Sequence, residues 1–186
     1  MKTENSFAMG MYMKKIFSKL FNYLFTEIAP YLIIIRHPLH LFLLKLNSKN
    51  VGKNFNFHYG VLFLGTKQTT FGDNIDIGRH SFLSMGGTQS SIGNNVMFGA
   101  GVSLITIMHQ YTDLTIPMKY QPSIYSPIII EDDVWLGDGV KVISGSKPII
   151  IRKGIIIGAG SVVTNNLDTE YGIYAGSPAR FIKMRL

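Results

Sequence analysis

From Val51 onward an apolar residue recurs every six positions, and the recurrences come in threes. The triplets are Val51, Phe57 and Phe63; Phe71, Ile77 and Leu83; Ile92, Phe98 and Leu104; Ile130, Leu136 and Val142; and Ile151, Ile157 and Val163. The six-step is broken at Thr69–Thr70, Gln89–Ser91, Gln110–Ile129 and Pro148–Ile150, each time after a third member and never within a triplet. A coil with three flat sides accounts for this: one triplet makes one turn, and extra residues bulge from a single corner. A chain built this way stacks its turns and buries a continuous apolar column.

Two further regularities refine the coil. Four residues after the apolar position stand Val61, Ile75, Val96, Val102, Val134, Val140 and Ile155, a second inward layer. Glycine follows the apolar residue at Gly52, Gly72, Gly78, Gly93, Gly99, Gly137 and Gly158. Glycine tolerates backbone angles that a β-carbon makes costly, so these positions are expected to be tight corners. The third side has Leu64, Ser84, Ile105, Ile143 and Thr164 there instead, so the three corners are not equivalent.

The pattern resembles the hexapeptide-repeat acyltransferases, in the style of the galactoside and maltose acetyltransferases and of bacterial capsule and lipopolysaccharide O-acetyltransferases. The segments that carry the likeness are Asp133-Val134-Trp135-Leu136-Gly137, Ile157-Gly158-Ala159-Gly160-Ser161-Val162-Val163-Thr164 and Ala175-Gly176-Ser177-Pro178-Ala179-Arg180. The resemblance implies a mainly β fold: a left-handed parallel β-helix of about five three-sided coils, with an N-terminal helical segment and a long inserted loop. Residues 1–50 are then an apolar, basic helical segment. Residues 51–168 form the β-helix with loop 110–129, and residues 169–186 a C-terminal tail packing on it.

The same resemblance implies transfer of an acetyl group from acetyl-CoA to a sugar hydroxyl of a surface polysaccharide or its precursor. The family's catalytic histidine aligns without gaps onto His109, just before the long insertion. An imidazole there suits a general base near neutral pH, and long loops in compact domains are usually functional. By resemblance Gly137 and Asp138 offer backbone contacts near the thioester, and Trp135 walls the groove or serves as core cover. Ala159 and Thr164 match further cofactor contacts. Asn165 stands where the galactoside enzymes have lysine, and Arg180 and Lys183 match tail cations near the nucleotide phosphates. Ser84 takes the place of an acceptor-binding asparagine. The resemblance places the pantetheine arm in a groove between adjacent β-helices, and a lone β-helix leaves one flat face and a long loop without a core, so a homotrimer is expected. Two other functions share this frame: N-acetylation of an amino sugar or antibiotic, and a non-catalytic scaffold.

A β-helix carbonic anhydrase is excluded by its ligand count. It needs three zinc-binding histidines, and no histidine follows His109. No metal is expected. The 186 residues contain no cysteine, which removes disulfides and thiolate chemistry and fits the cytoplasm. A net charge of +7 suits phosphate-bearing ligands or anionic lipid. Nucleic acid is not expected, because the basic residues are scattered rather than striped with aromatics.

The N-terminal segment reads differently. Phe17, Leu20, Phe21, Leu24, Phe25 and Ile28 recur at helical spacing behind Lys14, Lys15 and Lys19, and Pro30 interrupts them. Tyr31–Ile35 and Leu39–Leu46 are further apolar runs around Arg36, His37 and Pro38. No uncharged run reaches the ~20 residues that span a bilayer. Residues 1–46 are read either as helices packing within the protein or as a peripheral contact with the inner face of the membrane.

Overall fold

The computed structural model describes residues 29–186, with side chains from residue 37 onward. The expected helix over Phe17–Ile28 and its lysines lie outside the described residues. The described residues divide into two compact units between Leu43 and Leu44. Helix Ala29–Leu46 runs through both later apolar runs and has Pro38 inside it. Pro30 stands in its first turn, where a missing N–H is harmless. Among the described residues no helix is long and apolar enough to cross a membrane.

In the second unit, three parallel sheets wrap one column. The first face stacks Asn50–Val51, Thr70–Phe71, Ser91–Ile92, Ile128–Ile130 and Ile149–Ile151. The third stacks Leu62–Leu64, Phe82–Ser84, Ser103–Ile105, Lys141–Ile143 and Val162–Val163. The second face begins at Phe55–Phe57 and continues through Ile75–Ile77, Met97–Phe98, Trp135–Leu136 and Ile156–Ile157.

The pairing register reproduces the hexapeptide alignment. Val51, Phe71, Ile92, Ile130 and Ile151 face one another on the first side. Phe57, Ile77, Phe98, Leu136 and Ile157 do so on the second, and Phe63, Leu83, Leu104, Val142 and Val163 on the third. Ile77, Leu83, Leu104, Leu136, Val142, Ile151, Ile157 and Val163 are wholly buried. Each contributes about 1.5–3 kcal/mol of burial, so the column is where the stability lies. At its N-terminal end four phenylalanines fill the prism: Phe55 meets Phe71 edge-on at 5.3 Å, and Phe57 meets Phe63 at 5.4 Å. The second inward layer is buried at every apolar position expected. Ser81 and Ser161 occupy the same slot, and their hydroxyls donate to the carbonyls of Gly78 at 2.8 Å and Gly158 at 2.6 Å.

The role expected of the glycines needs correction. None of those following the apolar residue has a positive φ. Except at Gly158, they are glycine because the next coil's backbone is too close: a Cβ on Gly78 would stand 2.4 Å from the carbonyl carbon of Gly99, and one on Gly137 2.7 Å from the nitrogen of Ala159. The left-handed residue lies two positions later. Between the first and second faces it is Asn54, Asn74, Asn95, Asp133 or Gly154; between the second and third it is Gly60, His80, Gly101, Gly139 or Gly160. Asn, Asp and Gly are the types that reach this region most easily.

Five complete coils are followed by part of a sixth. Leu167 bridges Ile151 on the first side, and Gly172–Ala175 pairs in parallel with the second face. The chain then turns, and Arg180–Met184 returns antiparallel along it. Arg185 ties this end down, its guanidinium donating to Asp133 at 2.9 Å.

Candidate active site

The insertion is an arm with its own structure. Ile107–His109 pairs antiparallel with Ser123–Tyr125, so His109 lies on this ribbon, opposite Ser123, and the third coil ends at Ile105. Ile128 has already rejoined the first face. Gln121 organises the tip: its side-chain amide donates to the carbonyls of Asp113 and Ile116 at 2.8 Å, and its oxygen accepts the Asp113 N–H. The Thr115 hydroxyl and N–H donate to the Asp113 carboxylate and hold its pKa below the usual carboxylate value. The base of the arm is bound to the coils. Ser126 N–H donates to Thr106, the Ser144 hydroxyl to Ser126, and the Tyr125 ring lies where a β-carbon on Gly87 would be. His109 is thereby held on an anchored strand with its ring exposed.

The corner between the second and third faces holds Gly137, Asp138 and Ala159. On the opposite corner, between the first and second faces, the first four coils are laced to one another by side chains, and the Asp132 N–H of the fourth has no acceptor among the described residues. Asp73 accepts Lys53 N–H, Asn94 accepts Asp73 N–H, and Asp132 accepts Asn94 N–H. At the second–third corner only Asp138 does this, accepting Ala100 N–H at 2.7 Å. The lacing position one coil on is Ala159, which has no acceptor. The N–H groups of Asp138 and Ala159 therefore have no partner among the described residues. They sit one coil apart, about 4.8 Å by strand spacing. Gly137 N–H, in contrast, is committed to the Ile157 carbonyl at 2.8 Å.

A cleft of ≈ 580 Å³ opens at the other edge of the third face, where it meets the first. Thr164 and Asn165 line it together with Met108 and Tyr111 of the arm, Lys147 and Asp168. Strand alternation turns His109 to the ribbon face opposite Met108, away from this cleft. Ser84 is half-buried on the outside of the third face, in one row with Leu64, Ile105 and Ile143. Trp135 is exposed on the outside of the second face, beside Met97 and Ile156. Arg180 and Lys183 are exposed on the returning strand at the C-terminal end of that face. A single chain thus gathers Thr164 with Asn165, and Asp138 with Ala159, but leaves the two groups on opposite edges of the third face.

The residues missed in the sequence were Gln121, Tyr111 and Lys147. Tyr111 and Gln121 fall in the Gln110–Ile129 interruption of the six-step, where periodicity carries no information, and Lys147 ends a hexapeptide at a position with no apolar rule. Among the described residues no group of three His, Cys, Asp or Glu side chains stands close enough to hold a metal ion.

No family model matches the chain. The putative lipopolysaccharide biosynthesis O-acetyl transferase WbbJ of Escherichia coli is 29% identical over 161 residues, 81% of this chain and 78% of that protein. The galactoside O-acetyltransferase of Lactococcus lactis is 36% identical over 113 residues, 60% of this chain and 45% of its own length. The hexapeptide-repeat acetyltransferase VCA0836 of Vibrio cholerae superimposes with a TM-score of 0.70 at 23% identity, over 81% of each chain. In sequence and in fold the chain is similar to members of the hexapeptide-repeat acetyltransferase family. Its stacked coils are that family's left-handed parallel β-helix. The VCA0836 structure with acetyl-CoA matches with a TM-score of 0.64 at 25% identity, over 77% of this chain and 75% of that one. Several curated family members are longer: the chain spans 37%, 53% and 22% of the length of three of them.

Proposed function

We propose that this hexapeptide-repeat protein transfers an acetyl group from acetyl-CoA to a sugar hydroxyl of a surface polysaccharide or its precursor, with His109 as general base. The observation that carries the reading is the pair of open N–H groups at Asp138 and Ala159, on a corner laced at one coil step where its counterpart is laced at three. Donors that face no protein acceptor suit the amide carbonyls of a pantetheine arm and the oxygen of its thioester. Trp135 walls this groove, and Thr164, Asn165, Arg180 and Lys183 hold the rest of the cofactor.

In the reaction the His109 imidazole takes the proton of the acceptor hydroxyl as its oxygen attacks the thioester carbonyl. The tetrahedral oxyanion accepts a bond from an open corner N–H, a term worth ~10²–10³ in rate. Collapse breaks the carbon–sulfur bond, and the imidazolium returns its proton to the departing CoA thiolate. Every proton and electron pair is accounted for without a protein nucleophile.

The acting unit is a homotrimer. Leu62 and Leu64 are exposed on the outside of the third face, with Phe82, Ile105, Ile143 and Val162 half-buried beside them. Such a patch suits burial against a copy of the chain. The same packing brings the arm of one subunit to the open corner of the next, joining His109 to Asp138 and Ala159. The test measures CoA release from acetyl-CoA across a panel of sugar acceptors, with light scattering on the same sample. Release that depends on the acceptor, from a particle of three chains, is expected. A stable, fully active monomer overturns the shared site.

We also assign the N-terminal segment to the cytoplasmic membrane surface. Leu39, Phe42, Leu43 and Leu46 are exposed at helical spacing, and Lys14, Lys15 and Lys19 precede them in sequence. The protein is expected to co-sediment with anionic vesicles and to be released by salt. Vesicles that never retain the intact protein overturn this assignment.

A further inference from the structure

The open corner continues beyond the cofactor groove. Down the second–third corner from Ala159 and Asp138 stand Ala100 on the third coil, Arg79 on the second and Tyr59 on the first. Neither Tyr59 nor Arg79 N–H has an acceptor among the described residues, because the lacing residues above them are Arg79 and Ala100. The side chains here are unlike those of the remaining coils. His58 and Asp76 pair at 3.3 Å, both more than half exposed. Tyr59 is 59% exposed, and its ring meets His80 edge-on at 5.5 Å.

His80 is the outlier. It takes a left-handed φ of 58° where the other four complete coils have Gly60, Gly101, Gly139 and Gly160. A side chain in that region is strained, and such strain concentrates at functional sites. Gly60 makes room for it, since a Cβ there would stand 2.4 Å from the imidazole Nδ1 of His80. The Arg79 guanidinium has no carboxylate within ion-pair distance among the described residues. One coil thus presents a free cation and an open N–H, next to an exposed aromatic ring and an imidazole.

We propose that His58, Tyr59, Arg79 and His80 form the acceptor site and that the acceptor is a sugar carried on a phosphate ester. This rests on the acetyltransferase reading above, because the cluster lies on the same corner as the thioester groove and on the side away from the cofactor tail. A phosphate matches the guanidinium and the two open N–H groups, which are about 4.8 Å apart along the stack. The sugar ring matches the face of Tyr59 and the imidazole of His80. Free sugars lack the charge that Arg79 answers. Nucleotide-linked and lipid-linked sugars share this chemistry.

The test compares UDP-hexoses, hexoses on a polyprenyl diphosphate in detergent, and the matching free hexoses, in acetyl-CoA consumption and in calorimetric binding to the full chain. The phosphate-linked acceptors are expected to exceed the free sugars in kcat/KM. Whichever linked form is faster identifies the source. Arg79→Ala is expected to raise the KM and Kd of the linked acceptor by about tenfold or more, the value of a charge-assisted hydrogen bond, with the KM for acetyl-CoA unchanged. His80→Gly restores the residue of the other coils, so it is expected to melt no lower than the native protein while losing acceptor affinity. Wild-type acceptor KM and Kd in both variants, or free sugars that serve as well as linked ones, overturn the inference and leave the acetyltransferase reading standing. Failure of the native protein to bind acetyl-CoA overturns the acetyltransferase reading itself, and this inference with it.

Discussion

His109→Ala is expected to lower acetyl transfer by about 10²–10⁴, the usual range for removing a general base, while the fold and acetyl-CoA affinity persist. The ring is exposed. The strand that holds it pairs through its backbone with Ser123–Tyr125, which alanine preserves. No cavity opens in the column around Leu104, so the mechanisms that produce large stability losses are absent. The open donors of Asp138 and Ala159 lie on a different corner and do not depend on the imidazole. Steady-state rates, calorimetric acetyl-CoA binding and a melting curve on both proteins decide it. A variant that binds acetyl-CoA, melts normally and turns over near the native rate places the base elsewhere.

Gly78→Ala and Gly101→Ala are expected to separate the two reasons for glycine in this fold. At Gly78 the added carbon would stand 2.4 Å from both the carbonyl carbon and oxygen of Gly99, so two backbones must part. The neighbouring atoms belong to a pairing ladder and cannot rotate away, and overpacking of this kind costs about 3 kcal/mol. At about 2–4 °C per kcal/mol in a chain of this size, the melting temperature falls by about 6–12 °C. Gly101 has a φ of +66° and nothing within 4 Å of the added carbon. Only the left-handed penalty applies there, about 1–2 kcal/mol. Equal losses, or a larger one at Gly101, contradict the account in which coil-to-coil contact selects the first glycine.

The reach of the sequence differs between the column and the corners. The six-step identified one inward residue on each side of the five coils and its partners in the stack, because a stacked turn admits no other register that keeps Leu83, Leu104 and Val142 inside. Burial acts on each residue alone and repeats with each coil, so it leaves a period. The glycines were seen but assigned the wrong cause. Whether a β-carbon meets backbone depends on the coil above, some twenty residues away, and that neighbour is invisible in a single hexapeptide. The left-handed residues Asn54, Asn74, Asn95 and Asp133 were in plain sight two positions later, without a spacing rule to single them out.

The sequence by itself determined that this chain coils in threes, where the coil is interrupted, and which histidine stands at the interruption. Those are properties of order along the chain, and hydrophobic burial enforces them turn by turn. Only the tertiary structure decided that the insertion is an anchored ribbon, because its stabilising bonds join Thr106 to Ser126 and Ser126 to Ser144 across the corner. It alone separated one corner laced by Asp73, Asn94 and Asp132 from another left open at Tyr59, Arg79, Asp138 and Ala159. A backbone N–H is free or satisfied according to the side chain one coil above it, and stacking, rather than adjacency in the chain, chooses that side chain.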